Sequence, residues 1–141
     1  MPQTLTRTLE FTLLGRAGRV GFGAPAGYTA ADPFSVRIRF PGTLTVDGTD
    51  AHWEFGRDLL AAGLESASGE GDVLVRPLDG RRTGIGLRTG QGRAELATPT
   101  AALRSFLAAT FALVPAGRER IRLDWAALSA AGGPLDPPAP H

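Results

Sequence analysis

The chain has no cysteine, no lysine and no asparagine, and its only histidines are His52 and the terminal His141. Without thiols there are no disulfides, no thiolate metal sites and no cysteine nucleophile, a composition that suits the cytoplasm. A single interior imidazole cannot furnish a histidine metal site, and no G-x-S-x-G turn offers a serine to a catalytic triad. No run approaches the ~18 apolar residues that a membrane-crossing helix needs. The opening MPQTLTRTLEF lacks the apolar core of a signal peptide. A bias of charge is missing too: 15 basic residues face 14 acids, for a net charge of +1. That is too near neutral to draw nucleic acid or a membrane surface by bulk field. The expectation is a cytoplasmic protein with no membrane span, no enzyme activity, no metal and no cofactor.

What is present is a globular composition. The 141 residues are 43% hydrophobic and 21% charged, enough for one domain with its own core. Residues 1–131 are expected to form that domain, with 132–141 as a Gly/Pro-rich tail.

The chain is organised around Ala51 to Pro77. Ala51, Trp53 and Phe55 alternate with His52 and Glu54, which is the period of a half-buried strand. From Arg57 the period turns helical, with Leu60 and Leu64 on one stripe. Gly63 reads as the glycine that ends this helix. Ser66 to Gly71 reads as a loop, and Ser68 to Asp72 as a hairpin-like entry into the Val73 to Leu78 strand rather than a phosphate loop.

Upstream, Leu5, Leu9, Phe11 and Leu13 share one face of a long strand whose other face carries Thr4, Thr6, Thr8, Glu10 and Thr12. Val20 and Phe22 suggest a return strand before a loop at Gly23 to Gly27. Phe34, Val36, Ile38 and Phe40 alternate against Ser35, Arg37 and Arg39. Leu44 and Val46 suggest another short strand. Downstream, the Ile85–Leu87 and Arg93–Ala97 strands follow, with Thr98-Pro99 as the cap of a helix bearing Leu103, Phe106, Leu107 and Phe111. Ile121 and Leu123 read as extended, and Asp124 as the start of a last helix through Leu128. This order predicts an α+β domain with a strongly twisted antiparallel sheet of about seven strands and two or three helices. The expected core is Leu9, Phe11, Val36, Ile38, Phe40, Trp53, Phe55, Leu60, Leu64, Leu103, Phe106 and Leu107.

Candidate chemistry is sparse. Gly21-Phe22-Gly23 and Gly84-Ile85-Gly86 lack the third glycine and the following helix of a dinucleotide loop. Asp32 before Pro33 and Asp47 before Gly48 are ordinary turn acids. Arg37, Arg39, Arg76, Arg81, Arg82, Arg88 and Arg93 could line one basic sheet face, but the aromatics alternate to the other side, so a solvated face is the plainer reading. Arg57 and Asp58 at a helix start form the one charged pair with a claim beyond solubility, read here as a surface pair.

Taken together, YTAADPFSV (28–36), WEFGRDLLAAGL (53–64), GEGDVLVRP (69–77), TPTAALRSFL (98–107) and FALVPAGRE (111–119) resemble the recurring pattern of the SsgA-like sporulation and cell-division proteins. The resemblance spans nearly the whole chain in the right order. It implies a whirly-like fold, a homotrimer and a non-enzymatic adaptor at division septa, whose partners are other SsgA-like proteins or division proteins such as the tubulin-like FtsZ. It brings no residue-level site. Arg57, Asp58, Glu70 and Asp72, on the helix start and the adjoining loop, are the candidate partner contacts. The threonine-rich face of Thr4 to Thr12 is either a trimer interface or a plain solvent face. The alternative function is a single-stranded nucleic-acid binding module, which the fold analogy alone suggests.

Overall fold

In the computed structural model the described residues are 3–15, 18–45, 47–90 and 92–119. Alternation builds the first half of the sheet. In β1 (Thr4–Gly15) Leu9 and Phe11 are buried while Thr4, Thr6, Thr8 and Glu10 face solvent. β1 pairs residue for residue with β2 (Gly18–Thr29), from Thr4 opposite Thr29 to Gly15 opposite Gly18. The expected loop at Gly23 to Gly27 is therefore part of a strand. Ala24 and Ala26 carry the buried face, side chains too small to register as an apolar alternation. Proline is tolerated here because the β2–β3 ladder begins only at Ala26, which leaves Pro25 strand-paired on the β1 side alone.

β3 (Asp32–Phe40) turns back along β2, and β4 (Ala51–Gly56) pairs with β3 from Phe40 opposite Ala51 to Ser35 opposite Gly56. Between them Gly42–Leu44 is a short 3₁₀ turn rather than the strand expected around Leu44, and Val46 lies outside the described residues. The second half is a meander of β5 (Ser68–Glu70), β6 (Val73–Pro77), β7 (Arg82–Thr89) and β8 (Gly92–Pro99). β8 joins β1 through Thr12 opposite Ala97, which makes one antiparallel sheet ordered β4-β3-β2-β1-β8-β7-β6-β5. The eighth strand, beyond the seven expected, is the short Ser68–Glu70 piece, whose Ser and Gly residues read as loop until β6 pairs with them.

Among the described residues two helices lie on the inner side of this sheet. α1 (Arg57–Glu65) continues directly from edge strand β4, yet packs on β5 and β6 at the opposite edge as well as on β3. The sheet is therefore curled, with α1 bridging its two edges from within. Gly63 does not end this helix. It is buried in the last turn, where a Cβ would overlap the Val75 side chain on β6, so the glycine permits close helix–strand approach. α2 (Thr100–Leu113) packs on α1, β1, β7 and β8 through Leu103, Phe106, Leu107 and Thr110. Thr98 is not its cap. It is buried in β8 and donates from its hydroxyl to the Glu10 carbonyl at 2.8 Å.

Eleven of the twelve expected core residues are buried; Trp53 is only half-buried. Phe34, two residues before the buried Val36, is 44% exposed; it lies where the β2–β3 register shifts, between Asp32 opposite Thr29 and Arg37 opposite Gly27. The expected extended pair Ile121 and Leu123, the helix from Asp124 and the 132–141 tail lie outside the described residues.

Candidate interaction surface

Arg57 is not a surface residue. It opens α1 with 1% of its side-chain surface exposed, because its guanidinium turns inward toward the far end of α2. Its Nη1 lies 3.1 Å from the Tyr28 hydroxyl, 3.1 Å from the Thr110 carbonyl and 2.7 Å from the Val114 carbonyl. The carbonyl end of a helix has unmatched acceptors and partial negative charge, so a cation placed there satisfies both. The guanidinium carbon lies 4.0 Å from the Phe111 ring centroid and 5.3 Å from that of Tyr28, so aromatic faces cover the cation. Glu119 completes the cluster, with Oε2 3.2 Å from Arg57 Nη2.

Each partner carries the mark of that setting. Burial pushes the Tyr28 phenol above its ordinary value, against the opposing pull of the Arg57 charge, while its hydroxyl donates to the Pro33 carbonyl at 2.9 Å. Glu119 is held below the ordinary carboxylate value, first by its own backbone N–H, then by the Gly117 N–H at 2.6 Å and by Arg57, with burial opposing. Its side chain is 9% exposed but sits under thin cover at the rim, where water still screens it.

The three remaining sequence candidates are exposed. Asp58 stands in the first turn of α1, where a carboxylate suits the helix N-terminus. Glu70 reaches back over the same entry: its Oε2 lies 3.6 Å from where a Cβ on Gly56 would sit. Asp58 and Glu70 thus gather at one corner. Asp72 lies past Gly71 at the β5–β6 turn, tied to β7 by the Arg88 N–H donating to its carbonyl at 2.8 Å.

The opposite mouth of the curled sheet was not anticipated. A cavity of about 560 Å³ opens there between Leu13, Phe22, Phe40 and Trp53 on one side and Leu87, Ala94 and Leu96 on the other. Its floor is an aromatic cluster in which the Phe11, Phe22 and Phe40 ring centroids lie 5.6 to 6.0 Å apart. Trp53 stacks on Phe55 at 6.3 Å, which accounts for its half-burial: one face is packed and the other lines the opening. The loop beside it carries hydrogen bonds of its own. The Gly42 N–H donates to Asp50 Oδ1 at 2.8 Å, and Asp47 accepts from the Thr49 N–H at 3.0 Å and its hydroxyl at 2.8 Å. Those bonds, led by the Thr49 N–H, keep the Asp47 carboxyl below its ordinary value.

Four of the seven sheet arginines are matched to acids: Arg37 with Asp32 and Glu54, Arg39 with Asp50, Arg82 with Asp79, and Arg93 with Glu95. Neutralised guanidinium groups make a poor track for phosphates. The exposed Phe34 stands near the start of β3, in the stretch where the β2–β3 register shifts. Among the described residues no group of three or more His, Cys, Asp or Glu side chains is arranged to hold a metal ion, and no helix is long and apolar enough to cross a membrane.

The chain resembles known proteins in sequence and fold. The family model of the Streptomyces sporulation and cell division protein SsgA matches residues 24–119, which takes in Tyr28, Arg57, Phe111 and Glu119. The sporulation-specific cell division protein SsgB of Kineococcus radiotolerans is 41% identical over 111 residues, 74% of this chain and 65% of the relative. The aligned part thus spans just under two thirds of that relative. SsgB of Streptomyces coelicolor is 42% identical over 105 residues, 71% of this chain and 74% of the relative. A solved structure described for mutations in SsgB that correlate to longitudinal cell division during sporulation of Streptomyces coelicolor superposes with a TM-score of 0.75. It is 36% identical, over 84% of this chain and 94% of that one. An SsgA-like sporulation-specific cell division protein of Thermobifida fusca also gives 0.75, at 31% identity over 84% of this chain and 87% of that one. The chain belongs to the SsgA-like family of sporulation and cell division proteins.

Proposed function

We propose that this protein acts in sporulation-specific cell division as a non-enzymatic adaptor, working through protein contacts at the septum. The observation that carries this reading is the family match over residues 24–119, beside the likeness to relatives named as sporulation-specific cell division proteins. In this reading the partners are other SsgA-like proteins or division proteins such as FtsZ. The protein resides in the cytoplasm and concentrates at septa as a homotrimer, with the threonine face of β1 as the candidate subunit contact. Asp58, Glu70 and Asp72 are exposed where a partner could reach them, whereas Arg57 acts from inside by fixing the start of α1.

The test is a chromosomal Asp58→Arg, Glu70→Arg replacement in the native host, carrying a fluorescent fusion. Loss of septal foci with an unchanged melting temperature is the expected result. Normal foci would remove these acids from the partner surface, and normal septation in a null strain would remove the division role itself. Light scattering is expected to give the trimer mass at micromolar concentration. The nucleic-acid alternative predicts tight, salt-sensitive binding to single-stranded DNA, against which the paired sheet arginines argue.

A further inference from the structure

The Arg57 cluster is better equipped than its present occupant requires. The guanidinium is buried and held in place by Tyr28, Phe111 and the last carbonyls of α2. Yet its Nε has no hydrogen-bond partner among the described residues, and Nη2 meets Glu119 at ion-pairing distance without an aligned hydrogen bond. A buried donor left unmatched is unfavourable, and one edge of a guanidinium fits both oxygens of a carboxylate side by side. Glu119 uses one oxygen on Arg57 and turns the other to the Gly117 N–H. It reaches the site from an exposed turn, 115–118, that follows α2.

We propose that Arg57, Tyr28, Phe111 and the carbonyl end of α2 form a carboxylate-accepting site that Glu119 occupies in cis. An acidic side chain of a partner protein takes the same place when the 115–119 turn is displaced. The occupant in trans engages Nε and Nη2 together, which Glu119 does not. The site then works as an autoinhibited acidic-peptide pocket whose affinity is set by how readily the turn lifts. The trans part rests on the adaptor reading given above; the carboxylate site itself does not.

Chemical rescue in the full chain tests it. Glu119→Ala is expected to lower the melting temperature by several degrees, and sodium propionate to restore most of that loss where sodium chloride at equal ionic strength does not. Wild type, Glu119→Gln and the Arg57→Met, Glu119→Ala double variant should show no such selective gain. The peptide acetyl-Leu-Glu-Leu-amide should bind Glu119→Ala roughly tenfold more tightly than wild type, and its Gln counterpart should bind neither. A Glu119→Ala protein as stable as wild type, or one that propionate does not favour over chloride, would overturn the site. Rescue by propionate with no peptide preference would overturn the trans occupant alone. Normal rescue in a protein that proves dispensable for septation would instead remove the adaptor reading and leave the site standing.

Discussion

The two ends of the curled sheet solve the same geometrical problem in opposite ways. At one end α1 and α2 fill the interior, and a buried arginine ties a strand, two helices and the returning chain together. At the other end nothing among the described residues fills it, and an aromatic-floored cavity stands open beside a loop hydrogen-bonded through its own aspartates. Closure at the first end comes from a charge placed where a helix offers spare carbonyls. Among the described residues the second end is open, and the polar groups of the adjoining loop are hydrogen-bonded within that loop. For an SsgA-like protein this separates a pole tied by a buried arginine from a mouth whose apolar lining is uncovered among the described residues.

Removing the tie should have the largest effect. Arg57→Met keeps much of the apolar volume but leaves the Val114 carbonyl and the Tyr28 hydroxyl without their donor, while the Thr110 carbonyl keeps only the Val114 N–H. The expected loss is about 3 kcal/mol by chemical denaturation, the lower end for breaking a buried pair, since Glu119 at the rim can turn to water. A loss under about 1 kcal/mol would mean that the helical pole is held by packing alone. Gly63→Ala strikes the same pole by overpacking α1 against Val75, with about 2 kcal/mol expected. Both changes should leave the mouth intact, with the Trp53 emission of the folded state unchanged in a background where Trp125 is phenylalanine.

At the mouth the effects should be smaller. Trp53→Ala would cost 3–5 kcal/mol were the ring fully enclosed, but only one face of it is packed, so about 1–2 kcal/mol is expected. A loss as large as that of Arg57→Met would show that something covers the cavity in solution and would erase the contrast between the two ends.

The difference between the ends also marks how far the sequence could be read. Strands with large alternating side chains, such as Val36, Ile38 and Phe40, announced their buried face, and the i, i+3, i+4 spacing of Leu103, Phe106 and Leu107 announced α2. Ala24 and Ala26 did not, since a buried alanine between glycines looks like a turn until a neighbouring strand covers it. Gly63 was legible as special but not for the right reason: glycine serves a helix end and a close approach equally well, and only Val75 decides between them. Arg57 was picked out, but its burial depends on Tyr28, Thr110, Val114 and Glu119, whose spacing in the chain carries no periodic signal. The family-like strings 28–36, 53–64 and 111–119 did contain Tyr28, Arg57, Phe111 and Glu119, so recurring pattern held information that residue chemistry did not. The cavity had no signal at all, because an empty space is a property of how far two strands are held apart.

The smallest expected effect concerns the loop beside the mouth. Asp47 accepts hydrogen bonds from the Thr49 N–H and the Thr49 and Thr45 hydroxyls, and these favour its charged form, so its pKa in the folded chain lies below the ordinary 3.8. A carboxyl depressed on folding contributes stability that is fully present above its unfolded value and is lost as pH falls through the folded one. The contribution should therefore be constant through the neutral range and fade only below pH 3.8, and Asp47→Ala should remove that acid-side slope. Because the carboxylate is solvent-exposed, the global melting temperature should hardly change at pH 7. The informative readout is local: amide exchange at Thr49 should quicken in Asp47→Ala while that at Val114, on the Arg57 pole, stays as slow as in wild type. Equal quickening at both would mean that the two ends open together, and the contrast between a tied pole and a separately braced mouth would fail.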